Sequence, residues 1–294
     1  MGTVSGVIID SACQHVYFTN TTFNRVGDFS LQTMTLSAPI QVGSLPIGLD
    51  LTPDGTRLYV ANSGGSNLSV VNLVTRVAQK IAIPLPAGAV ETPYSFAIAG
   101  NGLALYSTGG PGRFGRLMQL DLASGQSTPR QDYPSSFAGS ARLRANDSRN
   151  TIVTNDASYF LSYSATSNTF SSRKVTTTSN REVASDFAAS VFLVVGPSTQ
   201  VFDSALNLMG SFPGLSSVGG AAVSSDGMIG YRATQSTVSV LNLRSYLITG
   251  QLPLGDAVVS GSFSGGMDLS DDGSLLAVIT SRGISLVRTN AGTQ

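Results

Sequence analysis

Lysine and glutamate are nearly missing from this chain. Of its 17 basic residues only Lys80 and Lys174 are lysine, and of its 17 acids only Glu91 and Glu182 are glutamate. Both types are strong helix formers, so their scarcity argues against a helical protein, while the aspartates that take their place belong in turns. Charged residues make up 12% of the chain, and the two signs balance to a formal net charge of zero. No overall field exists to gather nucleic acid or an anionic membrane surface. Cys13 is the single cysteine, which excludes an internal disulfide. One histidine, His15, leaves little prospect of a Ser-His-Asp triad. No apolar run approaches the length needed to cross a bilayer as a helix. The opening Met-Gly-Thr-Val-Ser is not a signal peptide. Met1, with or without Gly2, reads as an added start, with the natural protein expected to continue upstream.

What is present is a repeat. Pro46-Ile-Gly-Leu-Asp-Leu-Thr-Pro-Asp-Gly-Thr-Arg-Leu-Tyr-Val-Ala-Asn62 aligns on Gly6-Val-Ile-Ile-Asp-Ser-Ala-Cys-Gln-His-Val-Tyr-Phe-Thr-Asn20 with an offset of 48 − 6 = 42. Pro93-Tyr-Ser-Phe-Ala-Ile-Ala-Gly-Asn-Gly102 falls on Pro46 to Gly55. A period of this length points to a propeller, a solenoid or an array. Within the second repeat, alternating Gly48-Leu-Asp-Leu-Thr52 reads as a strand and Pro53-Asp54-Gly55 as a tight turn. Three further strands follow, the composition of one four-stranded blade. Other first strands are expected at Gly6–Asp10, Ser95–Ala99, Ala141–Ala145, Gly220–Ser224 and Gly266–Ser270, and a weaker, shortened blade at Ser185–Val195.

The fold class expected is therefore all-β: one seven-bladed propeller over residues 1–294, since 294/7 = 42. The blades divide at approximately 3–43, 44–90, 91–134, 135–179, 180–215, 216–257 and 258–294. The last is expected to be incomplete, its closing strand lying upstream in the parent protein.

Tyr59-Val-Ala-Asn62 and Tyr17-Phe-Thr-Asn20, each following the strand and turn just described, resemble the YVTN-type β-propeller repeat. The resemblance implies a seven-bladed propeller of the kind borne by secreted, surface-layer or envelope proteins of bacteria and archaea. It implies no single activity, and fold alone licenses none.

Asp10, Asp50 and Asp268 are read as recurring at one position of the first strand, nearest the channel, with Asp50 and Asp268 as candidate ligands for a divalent cation. His15 reads as an ordinary strand residue. The loops between second and third strands carry an aromatic beside arginine: Phe23 with Arg25 in the first blade, Phe114 between Arg113 and Arg116 in the third. Such pairs are enriched at binding hot spots. With Tyr94 they form the candidate ligand-binding set.

The reading that results is a non-catalytic, extracellular or cell-surface scaffold, a monomeric domain of a larger bacterial protein. It binds a protein or glycan through its top-face loops, with no cofactor, no nucleic-acid partner and no membrane insertion. The alternative is a metal-dependent lactonase- or lyase-like hydrolase at the channel mouth, which requires Asp50 and Asp268 to converge with Glu91 or Asp256.

Overall fold

The computed structural model describes residues 2–85, 91–109, 114–133, 137–138, 141–156, 159–171, 175–176, 182–196, 198–213, 219–259 and 266–289. The described residues form an all-β propeller of seven antiparallel blades, in each of which the first three strands pair in sequence order, with a separate two-stranded ribbon, Phe114–Gly115 with Phe137–Ala138. Blade two shows the plan, with strands Pro46–Leu51, Arg57–Asn62, Asn67–Asn72 and Val77–Ala82 running from the channel outward. The innermost strands of the other blades are Val4–Asp10, Thr92–Ile98, Arg142–Ala145, Glu182–Ser185, Ala221–Val223 and Met267–Leu269. The last sheet holds three strands among the described residues, Met267–Leu269, Leu275–Thr280 and Gly283–Arg288.

The turn from first to second strand explains the spacing of the sequence signals. In blade two Thr52 Oγ1 donates to Asp54 Oδ1 at 2.5 Å, the Thr56 amide donates to the same oxygen at 3.0 Å, and Gly55 takes φ +65°. Blades six and seven repeat this with Ser224, Asp226 and Gly227, and with Ser270, Asp272 and Gly273. Only a residue without Cβ adopts that φ at no cost.

Blade five corrects the expectation of a shortened repeat. Its sheet has four strands, Glu182–Ser185, Val191–Val195, Thr199–Asp203 and Leu208–Phe212. Its turn is organised by Asp186 instead, which accepts from Ser190 Oγ at 2.6 Å and from the Val191 amide at 2.8 Å. Ala189 fills the left-handed place of the missing glycine at φ +54°.

No blade buries both faces alone, and the core is accordingly divided among the interfaces. Tyr17, Val26 and Ile40 of blade one pack on Leu49, Leu58 and Val71 of blade two. Tyr59, Phe96 and Tyr106 stack across the next interface with centroid separations of 5.3 and 6.3 Å. The ring closes by packing: Val4, Val7, Ile9 and Val16 of blade one lie against Ala277 and Ile279 of blade seven. Each fully buried side chain of this size contributes about 1.5–3 kcal/mol.

Candidate functional site

Strand register identifies the equivalent positions of the seven first strands. Asp50 pairs with Tyr59, and the equivalent residues are Ile8, Ala97, Arg144, Ala184, Ala222 and Asp268, each paired at the same distance from its turn. Asp10 is not in this set. It pairs with His15, two residues further along, where other blades place Thr52 or Ser270 to begin the turn. The expectation that Asp10, Asp50 and Asp268 share one position is thus corrected, because the alternation of a strand puts residues two apart on one face but at different depths.

The end of the channel formed by the first-to-second-strand turns opens as a cavity of about 710 Å³, with Asp50, Arg142, Arg144, Asp147, Arg149, Asp268 and Asp271 among its walls. Blade four supplies all three arginines. Arg142 pairs with Glu182 of blade five at 2.5 Å, both buried. Arg144 reaches across the channel to Asp268 at 2.6 Å and donates to the carbonyls of Ala221 and Met267 at 3.1 and 2.7 Å. Arg149 passes over blade three to Asp50 at 2.5 Å. Asp50 also accepts from the Leu51 and Ile98 amides at 2.8 and 2.7 Å, and Asp268 from the Ile9 amide at 2.8 Å.

Arg149 occupies the turn position held by Gly55, Gly102, Gly227 and Gly273, and takes the same left-handed backbone, φ +59°. For a residue with a side chain this costs about 1–2 kcal/mol. Burial alone would lower the Arg149 guanidinium, but the charge and hydrogen bond of Asp50 raise it above its ordinary value. Burial pushes Asp268 up to about 6, with Arg144 opposing and Asp147 reinforcing the shift. Burial likewise raises Asp147, and Asp271 adds to it.

The candidate cation ligands Asp50 and Asp268 are therefore each engaged by an arginine and by backbone amides. Glu91 and Asp256 do not join them. Glu91 lies seven residues before Ile98, the strand position that meets Asp50, a separation of roughly 20 Å along extended chain. It accepts from Arg116 Nε at 2.9 and 3.0 Å and from Thr108 Oγ1 at 2.6 Å. Asp256 faces Arg282 at 3.4 Å. Among the described residues no group of three His, Cys, Asp or Glu side chains is placed to hold a metal ion.

Of the sequence-derived binding set, Phe23, Arg25, Tyr94 and Arg116 lie at the opposite end of the blades from the first-to-second-strand turns. Phe23 is 47% exposed, and the Arg25 guanidinium sits over its ring at 4.6 Å from the centroid. Arg116 is half-buried and tied to Glu91. Tyr94 is half-buried in the strand Thr92–Ile98. Phe114 lies in a two-residue strand, Phe114–Gly115, paired with Phe137–Ala138; Arg113 lies outside the described residues. The structure brings together Phe23 with Arg25. His15 Nδ1 lies 2.6 Å from Asp28, which also pairs with Arg76 at 2.5 Å. Burial would raise the Asp28 carboxyl, but hydrogen bonds from Arg76 and His15 hold it below its usual range.

The solved structures then place the architecture. The chain is similar to Kuenenia stuttgartiensis hydrazine synthase, with TM-score 0.79 and 13% identity over 99% of this chain and 96% of that one. It is also similar to the β-propeller domain of Myceliophteria thermophila Cps50 (Swd1), with TM-score 0.74 and 11% identity over 99% of this chain and 97% of that one. The fold is shown; a family is not. No family model and no curated protein matches the chain. At these identities the likeness speaks of fold alone.

Proposed function

We propose that this chain is a non-catalytic binding propeller of a secreted or cell-surface bacterial protein, holding a protein or glycan partner on the face that carries Phe23. The carrying observation is the Phe23–Arg25 pair. A large aromatic stands in solvent on a loop with the guanidinium already stacked over its ring. The loop is fixed beneath it: the Phe23 amide donates to Asn20 Oδ1 at 3.2 Å, and Asn24 Oδ1 accepts from the Leu45 amide at 2.9 Å. A preformed aromatic–arginine surface on a rigid frame loses little side-chain entropy on binding. The placement outside the cell rests on the resemblance of Gly48–Asn62 to the surface-protein repeat.

The test is a glycan array and a panel of purified surface proteins, probed with the intact chain and with Phe23→Ala and Arg25→Ala. A ligand lost by both variants at unchanged melting temperature supports this reading. A ligand retained by both overturns it.

A further inference from the structure

Blade seven presents an outer edge unlike those of the other blades. Its third strand, Gly283–Arg288, is its outermost among the described residues, whereas every other blade covers its third strand with a fourth, whole or in two pieces. Hairpin register aligns Ile284 with Val26, Leu68, Leu117, Phe160, Thr199 and Val238. Those six are at most 3% exposed, while Ile284 is only half-buried. The residue across the ladder shows what would cover it. Ile40 pairs with Val26, Ile81 with Leu68, Val175 with Phe160, Phe212 with Thr199 and Leu252 with Val238, all apolar. In blade three the place falls to Arg130, whose guanidinium lies over Tyr163 and Phe170. Nothing holds that place opposite Ile284 among the described residues. Phe29 and Leu31, on the blade-one side of the same seam, are half-buried as well.

The edge itself is regular. The Thr289 amide donates to the Ser274 carbonyl, on the side of Leu275–Thr280, so alternation turns the amides and carbonyls of Ile284, Leu286 and Arg288 outward. The other outermost strands are blunted. Those of blades one and four are broken into two-residue pieces, and that of blade two carries Lys80. That of blade three has three residues and ends in Pro129, and those of blades five and six are bulged. Such devices keep sheet edges from pairing with other chains. Gly283–Arg288 runs for six residues without a register shift, and its one charge, Arg288, is at the end. It has the make-up of an interior strand and offers a template for pairing.

We propose that the occupant of this edge is the same strand of a second copy, laid antiparallel about a twofold axis. The place calls for an extended strand with an apolar residue opposite Ile284, and Gly283–Arg288 is itself such a strand. Setting Ile284 against Leu286 of the second copy, with Ser285 at the axis, brings the outward amides and carbonyls of both chains into closely spaced pairs. Residues directly opposite share a face, so Leu286 of the second copy falls on the seam side, beside Ile284 and toward Phe29. A slip by one residue would set outward groups against inward ones, and a slip by two would put Arg288 opposite Ile284. At each end Arg288 meets Arg282 of the second copy, and Asp256, 3.4 Å from Arg282, offsets the like charges. The two three-stranded blades become one continuous sheet. A contact of one strand a side is small, so the dimer is concentration-dependent rather than obligate.

The test is sedimentation velocity of the intact chain over about a hundredfold range of concentration, with amide exchange read residue by residue at both extremes. A monomer–dimer equilibrium is expected, with the amides of Ile284, Leu286 and Arg288 slow to exchange only where the dimer is populated. Leu286→Pro removes an outward amide and spares the bonds to Leu275–Thr280, and Leu286→Lys places a charge on the edge. Each weakens the dimer by about tenfold or more with the circular dichroism of the monomer unchanged. Phe23→Ala leaves the dimer intact, which separates this edge from the loop face. The proposal is overturned if the chain stays monomeric at the highest concentration, if the folded Leu286 variants dimerise as tightly as the parent, or if Phe23→Ala abolishes the dimer. Slow exchange of the three amides in the monomer overturns it by assigning the edge to a segment of the chain itself. Fast exchange of them in a persistent dimer overturns it by placing the contact elsewhere.

Discussion

Removing the Asp50 carboxylate should destabilise the protein severely. Asp50 is 5% exposed and anchors three donors from three blades: its neighbour's amide at Leu51, the Ile98 amide and the Arg149 guanidinium. Asp50→Ala leaves a largely buried arginine without its counter-charge, a loss of about 3–5 kcal/mol when one partner of a buried pair is deleted. The orphaned Ile98 amide, worth about 1–3 kcal/mol alone, overlaps with that figure rather than adding fully to it. Against a total stability of about 5–15 kcal/mol this is a large fraction. Asp50→Asn keeps an oxygen for the Ile98 amide and should cost less, about 2 kcal/mol. Urea unfolding of Asp50→Asn, Arg149→Met and the double variant gives the coupling energy, expected at about 1.5–3 kcal/mol. Arg149→Gly should be about 1 kcal/mol less damaging than Arg149→Met, because glycine relieves the left-handed backbone. A coupling below about 0.5 kcal/mol would refute the reasoning, since it would mean that channel water screens the pair as at an open surface.

Asp268 gives a pH signature. Its folded pKa is raised to about 6, so the folded protein holds a proton that the unfolded chain has released. Stability therefore falls as pH rises from about 4 to about 6, by on the order of 2 kcal/mol, and Asp268→Asn should flatten that segment of a melting-temperature profile. At Gly48, a Cβ would lie 2.7 Å from the Tyr94 carbonyl oxygen, where the innermost strands of two blades meet. Gly48→Ala should cost about 1–3 kcal/mol in chemical denaturation, as backbone cannot move aside like a side chain. Met34 is 65% exposed with φ +56°, so Met34→Gly should raise stability by about 0.5 kcal/mol, after the greater freedom of glycine in the unfolded chain is deducted.

The blades were legible because their punctuation is local. In blades two, six and seven a Thr or Ser, then Asp-Gly, closes the first hairpin by hydrogen bonds within five residues, and this recurs as a visible string. Blade five was misread because Asp186 and Ala189 build the same bend from different residues. The channel charges were hidden for a different reason: their partners are distant in sequence, Arg144 from Asp268 and Arg149 from Asp50. A signal did exist. Aligning the first strands puts Arg144 at the place of Asp50 and Asp268, and aligning the turns puts Arg149 at the place of a glycine. An arginine in the column that holds the aspartates of blades two and seven, and a long side chain where glycine belongs, both mark blade four. Asp10 was misplaced because it too follows an apolar residue in a first strand, and only the pairing with His15 shows the two-residue difference in depth.

In a ring whose repeats touch only their neighbours, a break at the seam lets units peel away one at a time. The arginines of blade four add chords to that circle. Arg144 joins it to blades six and seven, and Arg149 joins it to blade two across blade three. Every path of sequential fraying from the seam must cut a chord early, since the Asp268 end of one lies at the seam itself, bonded also to Ile9. With these chords a single melting transition is expected by calorimetry, although the hydrophobic core is parcelled out between the blades.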